Sequence, residues 1–410
     1  MKRSTASGTC LLGLSCLLSV CYAGAGLQAS EQGQRPFFEA RKQQTRYTGP
    51  EREDPEPEGL TEVRIGFFGP DDPAHPEGGD IWSAASLALE EANLEGGYHG
   101  LPFRLLPAWS DNPWGAGVNQ ITRLVFEDKV WAILGGIDGP TTHLAEQVVA
   151  KARVPLIGPA ATDVTVNLAN VPWMFSALPG DHVAAPVLGA AIAAEAGRFA
   201  VIAATDHDSH MFLTELEKCL TRAQAIPACR LEFPSGKPDR HRLIRQITAE
   251  DPRSVILIAG IRDSAELIDE LLARGFTGKV FGGPAMARRA FLEHMARRRA
   301  DVIVPFLADS SPGGTRFARS FEARTGGRPD YAADSAYEGT RLLVAAVRRA
   351  GLNRARICDA IQELSPWQGE NGRIDWDPTG QNRRPVALGT IVDGRLVPLL
   401  TAPAPGREKR

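Results

Sequence analysis

The chain has no Gly-x-Ser-x-Gly elbow, no His-Glu-x-x-His, no phosphate-binding loop and no dinucleotide fingerprint. Hydrolase, metalloprotease, nucleotide-triphosphatase and dehydrogenase chemistries therefore lack their usual signatures, and no cofactor is expected. Scattered histidines such as His143 and His182 come together only if the fold brings them together. Charge of one sign is also missing: 46 Lys and Arg stand against 49 Asp and Glu, a net of −3. That leaves no basic footprint for nucleic acid and no acidic tail. The basic stretch Arg288-Arg289 and Arg297-Arg298-Arg299 reads as a solvated helix face. No apolar run is long enough to hold the chain in a bilayer, since Leu11–Val20 is too short.

That short run has another meaning. Lys2 and Arg3 precede it, and Tyr22-Ala23-Gly24-Ala25 follows it with small residues, the order of an export signal. Residues 1–25 are read as a cleaved signal peptide and the mature protein as periplasmic. A lipid anchor on Cys21 is disfavoured, because bulky Val20 stands where a small residue normally precedes the lipidated cysteine. Export removes Cys10, Cys16 and Cys21 and leaves Cys219, Cys229 and Cys358 in an oxidising compartment. A bridge between Cys219 and Cys229 is expected, stapling a helix to the next strand and adding about 3 kcal/mol by loop entropy. Cys358 reads as a small core residue. Residues 26–60 are charged, Gln- and Pro-rich and without apolar period, and are expected to be a flexible leader, with Phe37-Phe38 its one apolar feature.

Beyond the leader, apolar strands alternate with helical patterns. Val63–Phe68, the second strand 102–107, Trp131–Leu134 and Val154–Gly158 form one set of βα units, and Phe199–Ala204, Cys229–Phe233, Val255–Ala259 and Lys279–Gly283 form a second. The expected fold class is α/β: two doubly wound parallel-sheet lobes joined by a three-crossing hinge. Lobe 1 is placed at 61–177 plus 308–370, lobe 2 at 178–307 plus 371–402, and a tail at 403–410. Pro172–Pro179 is read as one crossing, and a hairpin around Asp393-Gly394 closes the chain.

Two strand-to-loop exits, Ala132–Gly139 and Val154–Asp163, mark one wall of a ligand cleft, because open parallel sheets bind ligands beyond the carboxyl ends of their strands. Trp109 and Trp114 bracket the loop Ser110–Pro113 at the expected rim, where packing and ligand stacking both remain open. The loop Asp206-His207-Asp208-Ser209-His210 holds two imidazoles and two carboxylates. Neighbours in an extended loop point to opposite sides, so it is read as polar cleft lining, and no metal ligand is assigned.

The order of several pieces resembles the type I periplasmic binding proteins of the leucine/isoleucine/valine-binding kind. They are the opening strand with Gly69-Pro70, Ala88–Gly97, Ile157–Thr162, Tyr337-Glu338-Gly339, Gly372–Asp377 and Asp393-Gly394-Arg395. The resemblance implies hinge closure on a small molecule, docking of the monomeric receptor on an inner-membrane ABC permease, and no enzymatic activity. A sensor subunit signalling to a membrane receptor is the alternative.

Carried over residue by residue, the resemblance implies a ligand set of Asp138, Gly139, Thr141, Ala160, Ala161 and Thr162 on one side. On the other it implies Asp208, Ser209, Arg262 and Ala285. Pro140 removes an N–H that family members offer to a ligand carboxylate, and Ala285 stands where they place the acid that pairs with a ligand ammonium. A standard amino acid is therefore not expected. A small polar metabolite and an apolar, lipid-like molecule both remain open, as does an amino-acid or amide binder with a rearranged clamp.

Overall fold

The structure, a computed structural model, describes residues 47–308 and 315–399, with the side chains of residues 113 and 114 left out. The expected signal peptide, most of the leader, the tail and the Trp114 side chain lie outside the described residues. The first half opens with β1 (Val63–Phe68), α1 (Gly79–Leu94) and β2 (Phe103–Ala108). A helical stretch follows, with α2 (Val118–Thr122) flanked by wider π-type turns. Then come β3 (Ala132–Gly135), α3 (Gly139–Ala152), β4 (Leu156–Gly158), the short α4 (Thr165–Leu168) and β5 (Met174–Ser176). These five strands are all parallel, in the order β2-β1-β3-β4-β5. β3 and β4 are wholly buried, and all of β1 but Arg64 is, as strands covered on both faces by helices must be.

The second half runs through α5 (Asp181–Ala194), β6 (Phe199–Ala204), α6 (His207–Arg222), β7 (Cys229–Phe233), α7 (Arg240–Ala249) and β8 (Ser254–Ile258). It continues with α8 (Ile261–Ala273), β9 (Lys279–Gly282), α9 (Arg289–Met295) and β10 (Asp301–Phe306). The chain then returns to the first half, where α10 (Arg316–Thr325) and α11 (Tyr331–Ala350) pack on α1, and α12 (Arg354–Glu363) follows. After the small hairpin β11 (Trp367–Gly369) and β12 (Gly372–Ile374) it crosses a third time. There β13 (Ala387–Val392) and β14 (Arg395–Pro398) extend the second sheet antiparallel, in the order β14-β13-β10-β9-β8-β6-β7.

The crossings are tied to one another. Ser176 N–H donates to the Gly380 carbonyl at 2.8 Å, Trp376 Nε1 to the Ser176 carbonyl at 2.8 Å, and Asn382 Nδ2 to the Ala177 carbonyl at 2.7 Å. Arg384 donates to the Leu307 carbonyl of the remaining crossing. The strands joining the halves therefore form one hydrogen-bonded bundle, the arrangement of a hinge that bends as a unit.

The leader is not loose as far as residue 60. Tyr47 is buried against Trp173, with ring centroids 5.3 Å apart, and Arg153 donates to its hydroxyl at 2.6 Å. Asn353 Nδ2 donates to the carbonyls of Glu51 at 2.8 Å and Arg52 at 3.1 Å, while its Oδ1 caps α12 at the Arg356 N–H. Glu56 accepts from the Tyr98 hydroxyl at 2.8 Å. Sparse apolar content hid this strap, because it is held by polar groups of the body. Asn353→Ala removes a cap and the strap's anchor together, so an unfolding free energy lower by about 1–2 kcal/mol is expected in urea titration. An unchanged midpoint would show that the strap contributes nothing to stability.

The expected bridge between Cys219 and Cys229 does not form. Cys219, Cys229 and Cys358 are free thiols. Cys219 turns its Cβ toward Gly189 of α5 and its thiol toward the Glu215 carbonyl, 3.4 Å away. Cys229 begins edge strand β7, opposite Ala200. The helix face that carries Cys219 packs on α5, which leaves no bridge to β7. Cys358 is buried as expected, beside the Pro172 carbonyl.

Candidate solute-binding cleft

Beyond the carboxyl ends of the strands, between the two halves, lies a cavity of about 260 Å³. A larger cleft, about 840 Å³, runs beneath the strap at the opposite, amino ends of β1, β3 and β4, beside Arg64, Trp131 and Arg153. The smaller cavity occupies the position where open α/β sheets take their ligands, and it is the candidate site. Of the ten ligand residues expected from the sequence, Asp138, Ala160, Thr162, Asp208, Ser209 and Ala285 line it. Gly139 lies beside it and reaches Asp208 through its N–H. Thr141 and Ala161 are buried behind the wall rather than in it. Arg262 is misassigned: its side chain is 83% exposed and pairs with Glu266 on the outer face of α8, while Ile261 meets the cavity instead.

The start of α3 is closed to an outside anion. Asp138 caps it, accepting from the Thr141 N–H at 2.8 Å and from the Thr141 hydroxyl, while that hydroxyl accepts from the Ile137 N–H at 3.0 Å. Pro140 has no N–H, and the Gly139 N–H is taken from across the cleft by the Asp208 carboxylate, at 3.1 and 3.2 Å. Asp208 fills the position a ligand carboxylate would use at a helix N-terminus. Burial, and next the nearby Asp138 carboxylate, push the Asp208 pKa up to about 7.

The lining is rich in acid. Glu77, Asp138, Asp206 and Asp208 face the cavity, and Arg288 is the one basic side chain among its lining residues. Arg288 is committed elsewhere: Nε donates to Asp330 at 2.7 Å and Nη2 to the Glu77 carbonyl at 2.6 Å. Burial alone would lower its pKa, but Asp330, Tyr331 and Glu77 hold it above the ordinary arginine value. Glu77 is shifted upward by burial, against the pull of Arg288. The neighbouring Arg289 grips Asp80 of α1 with two nitrogens, at 2.7 and 2.5 Å. The pair read as a solvated basic face is thus a latch between the halves. Two adjacent arginines give no sign of burial, and only tertiary structure brings Asp330 and Asp80 to them.

Further out, His143 of α3, Asp163 after β4 and His207 of α6 meet across the cleft mouth. Asp163 Oδ2 lies 3.1 Å from His143 Nε2 and 2.6 Å from His207 Nε2. Burial would raise the Asp163 pKa, but the two imidazoles and Thr165 bring it below its ordinary value. Its hydrogen bond to Asp163, with a second to Glu146, raises His143 to about 9. Trp109 does not line the cavity; its ring packs on Phe68 at 5.5 Å. Trp131 is only half-buried and precedes β3, so it is not the strand-core residue its position suggests. Phe212 in the second turn of α6, Ile258 and Pro284 at strand exits and Tyr331 at the start of α11 also line the cavity, and their residue types do not distinguish them from core.

Two hinged α/β halves closing on a polar cavity at their strand ends define a solute-capturing receptor. The chain belongs to the family described as periplasmic binding protein, which matches residues 62–395 and is a family of binders, not enzymes. An amino acid binding protein of Pseudomonas aeruginosa is 27% identical over 334 residues, spanning 78% of this chain and 87% of that protein. The same fold is found in the branched-chain amino acid transporter substrate binding protein LivJ from Streptococcus pneumoniae in complex with isoleucine. There the TM-score is 0.74 at 18% identity, covering 82% of this chain and 97% of that one. A solute binding protein of an ABC transporter from Rhodopseudomonas palustris, in complex with 3,4-dihydroxybenzoic acid, gives 0.73 at 17% identity, over 83% and 97%. Among the described residues no helix is long and apolar enough to cross a membrane.

Proposed function

We propose that this chain is the periplasmic receptor of an ABC importer, and that its solute is a small amine or other organic cation without a carboxylate at the amino-acid position. In this reading the lobes, 61–177 plus 308–370 and 178–307 plus 371–402, close on the solute before docking on the permease. The observation that carries the ligand class is the Asp208 carboxylate on the Gly139 N–H, which leaves no vacant anion seat at the start of α3. The acids around the cavity support it: Glu77, Asp138, Asp206 and Asp208 are among its lining residues, and the single arginine there is already paired. A bound cation offsets their mutual repulsion, whereas a second carboxylate adds to it. A cavity of only 260 Å³ with four acids among its lining residues also argues against the lipid-like alternative.

The relatives that bind isoleucine and 3,4-dihydroxybenzoic acid make the contrast testable. Calorimetry on protein stripped of solute is expected to show binding of a small mono- or diamine from a panel holding amines, isoleucine and benzoate, and no binding of the last two. Asp208→Asn keeps the size of the side chain and removes its charge, so the amine's affinity is expected to fall about tenfold or more. Tight binding of isoleucine or benzoate by the unaltered protein overturns the assignment.

A further inference from the structure

We propose that His143, Asp163 and His207 form a divalent transition-metal site, fitted to zinc, that clasps the two halves across the mouth of the cleft. The inference does not depend on which solute the cavity takes.

Three donors from three separate elements converge here. His143 projects from the second turn of α3, Asp163 from the loop after β4, and His207 is the first residue of α6 in the other half. Their ligand atoms all lie within 4.8 Å of one another. Both Nε2 atoms meet the same carboxylate oxygen, and the rings stand edge-on at 88° with centroids 5.8 Å apart. Two imidazoles and one carboxylate are a donor set that suits zinc, and magnesium and calcium prefer oxygen alone. In a tetrahedral zinc site, bond lengths near 2.0–2.1 Å set donors about 3.3 Å apart. Separations of 3.1 Å at His143 and 2.6 Å at His207 fall short of that spacing, the second by about 0.7 Å, and the part-exposed His207 is free to draw back by that much.

The surroundings resemble a built site more than a chance contact. His143 Nδ1 faces Glu146 Oε2 at 3.3 Å, the outer carboxylate that turns the ring's Nε2 toward a metal. Glu146 is buried, and its other oxygen has no hydrogen-bond partner among the described residues. Asp163, with a side chain 1% exposed, is oriented by the Thr165 hydroxyl at 2.7 and 2.8 Å and by the Thr165 N–H at 2.8 Å. His207, 39% exposed, leaves one side open for the metal to enter and for water to complete its coordination. Because His207 comes from the opposite half, a metal held by all three ligands favours the closed cleft and no other position of the hinge.

The test is titration of zinc chloride into the full chain, freed of metal by chelator and without added solute. One-site binding with a dissociation constant of about 10 µM or tighter is expected, as is a compaction in small-angle scattering on adding zinc. His143→Gln and His207→Gln are each expected to abolish the one-site isotherm and the compaction. Glu146→Gln should weaken binding by about tenfold while leaving it measurable, as outer-shell changes do. Circular dichroism checks that each variant is folded, and the exposure of His207 makes His207→Gln the variant least prone to fail. Absence of one-site binding by the unaltered chain overturns the proposal, as does binding that survives both histidine changes.

Discussion

Asp330→Ala is expected to lower the unfolding free energy by about 3–5 kcal/mol, because it strands a buried arginine and uncaps a long helix in one step. Asp330 Oδ2 accepts from Arg288 Nε at 2.7 Å and from the Arg289 N–H at 2.9 Å. Its Oδ1 accepts from the N–H groups of Ala332 and Ala333, both at 3.0 Å, at the start of α11. Arg288 and Asp330 side chains are 6% and 1% exposed, so water cannot replace the lost partner. Asp330→Asn separates the two contributions, since the amide oxygen still caps the helix while the charge is gone. It should recover about 1 kcal/mol of the loss, the usual value of a cap.

The pH dependence has a definite sign. Burial opposes ionisation of Asp330, but Arg288 outweighs it and holds the folded pKa below the ordinary 3.8. The pair's stabilisation is present above that ordinary value and is lost as pH falls through the folded one. The difference between the unaltered protein and Asp330→Asn should therefore be full near neutrality and narrow in acid. Equal urea midpoints at neutral pH would mean that the latch does not hold the halves.

The latch also shows where reading the chain reaches its limit. Parallel strands were legible because β1, β3 and β8 are short apolar runs bounded by turn residues, and burial on both faces leaves that mark in any sequence. The helix α5 left none. Its Ala-rich sequence is apolar on most sides and contains Pro186, so it lacks the periodic stripe by which α6 and α11 announce themselves. At the site, strand exits mark the wall, and the family resemblance points to Asp138, Ala160 and Thr162 within it. Glu77 and Arg288 were missed, since their role depends on partners more than forty positions away. Arg262 failed for a related reason: the start of α8 faces the cavity, but the helix turns its second residue outward to Glu266. The histidine cluster was partly visible, as His207 drew notice and His143 was noted only as scattered. Their meeting at Asp163 is a product of closure between two halves.

Closure itself gives the remaining large effect. Gly139→Ala is expected to weaken solute binding by about 10- to 100-fold, or roughly 1.4–2.8 kcal/mol, while leaving the fold intact. Gly139 is the first residue of α3 and has no left-handed backbone to protect, so alanine is tolerated or favoured by the helix itself. A Cβ there would meet Asp208 Oδ1 at 2.3 Å and His207 Cδ2 at 3.1 Å, both from the opposite half, and Asp163 Cβ at 3.3 Å. The flexible Asp208 carboxylate has to leave the Gly139 N–H and His207 has to give by a few tenths of an ångström, which removes a contact between the halves and loosens the closed cleft. Binding then begins from a less populated closed state, which lowers the apparent affinity in proportion. Scattering should show a larger radius of gyration than the unaltered chain, and the urea midpoint should stay within the error of measurement. Asp208→Ala placed on Gly139→Ala removes the colliding oxygen, so the double variant should return to the smaller radius of gyration although its solute affinity stays low for want of Asp208, while Asp208→Ala alone leaves the radius unchanged. That non-additivity assigns the effect to this one contact. Unchanged affinity and radius in Gly139→Ala would show that the two halves do not meet at Asp208 in solution.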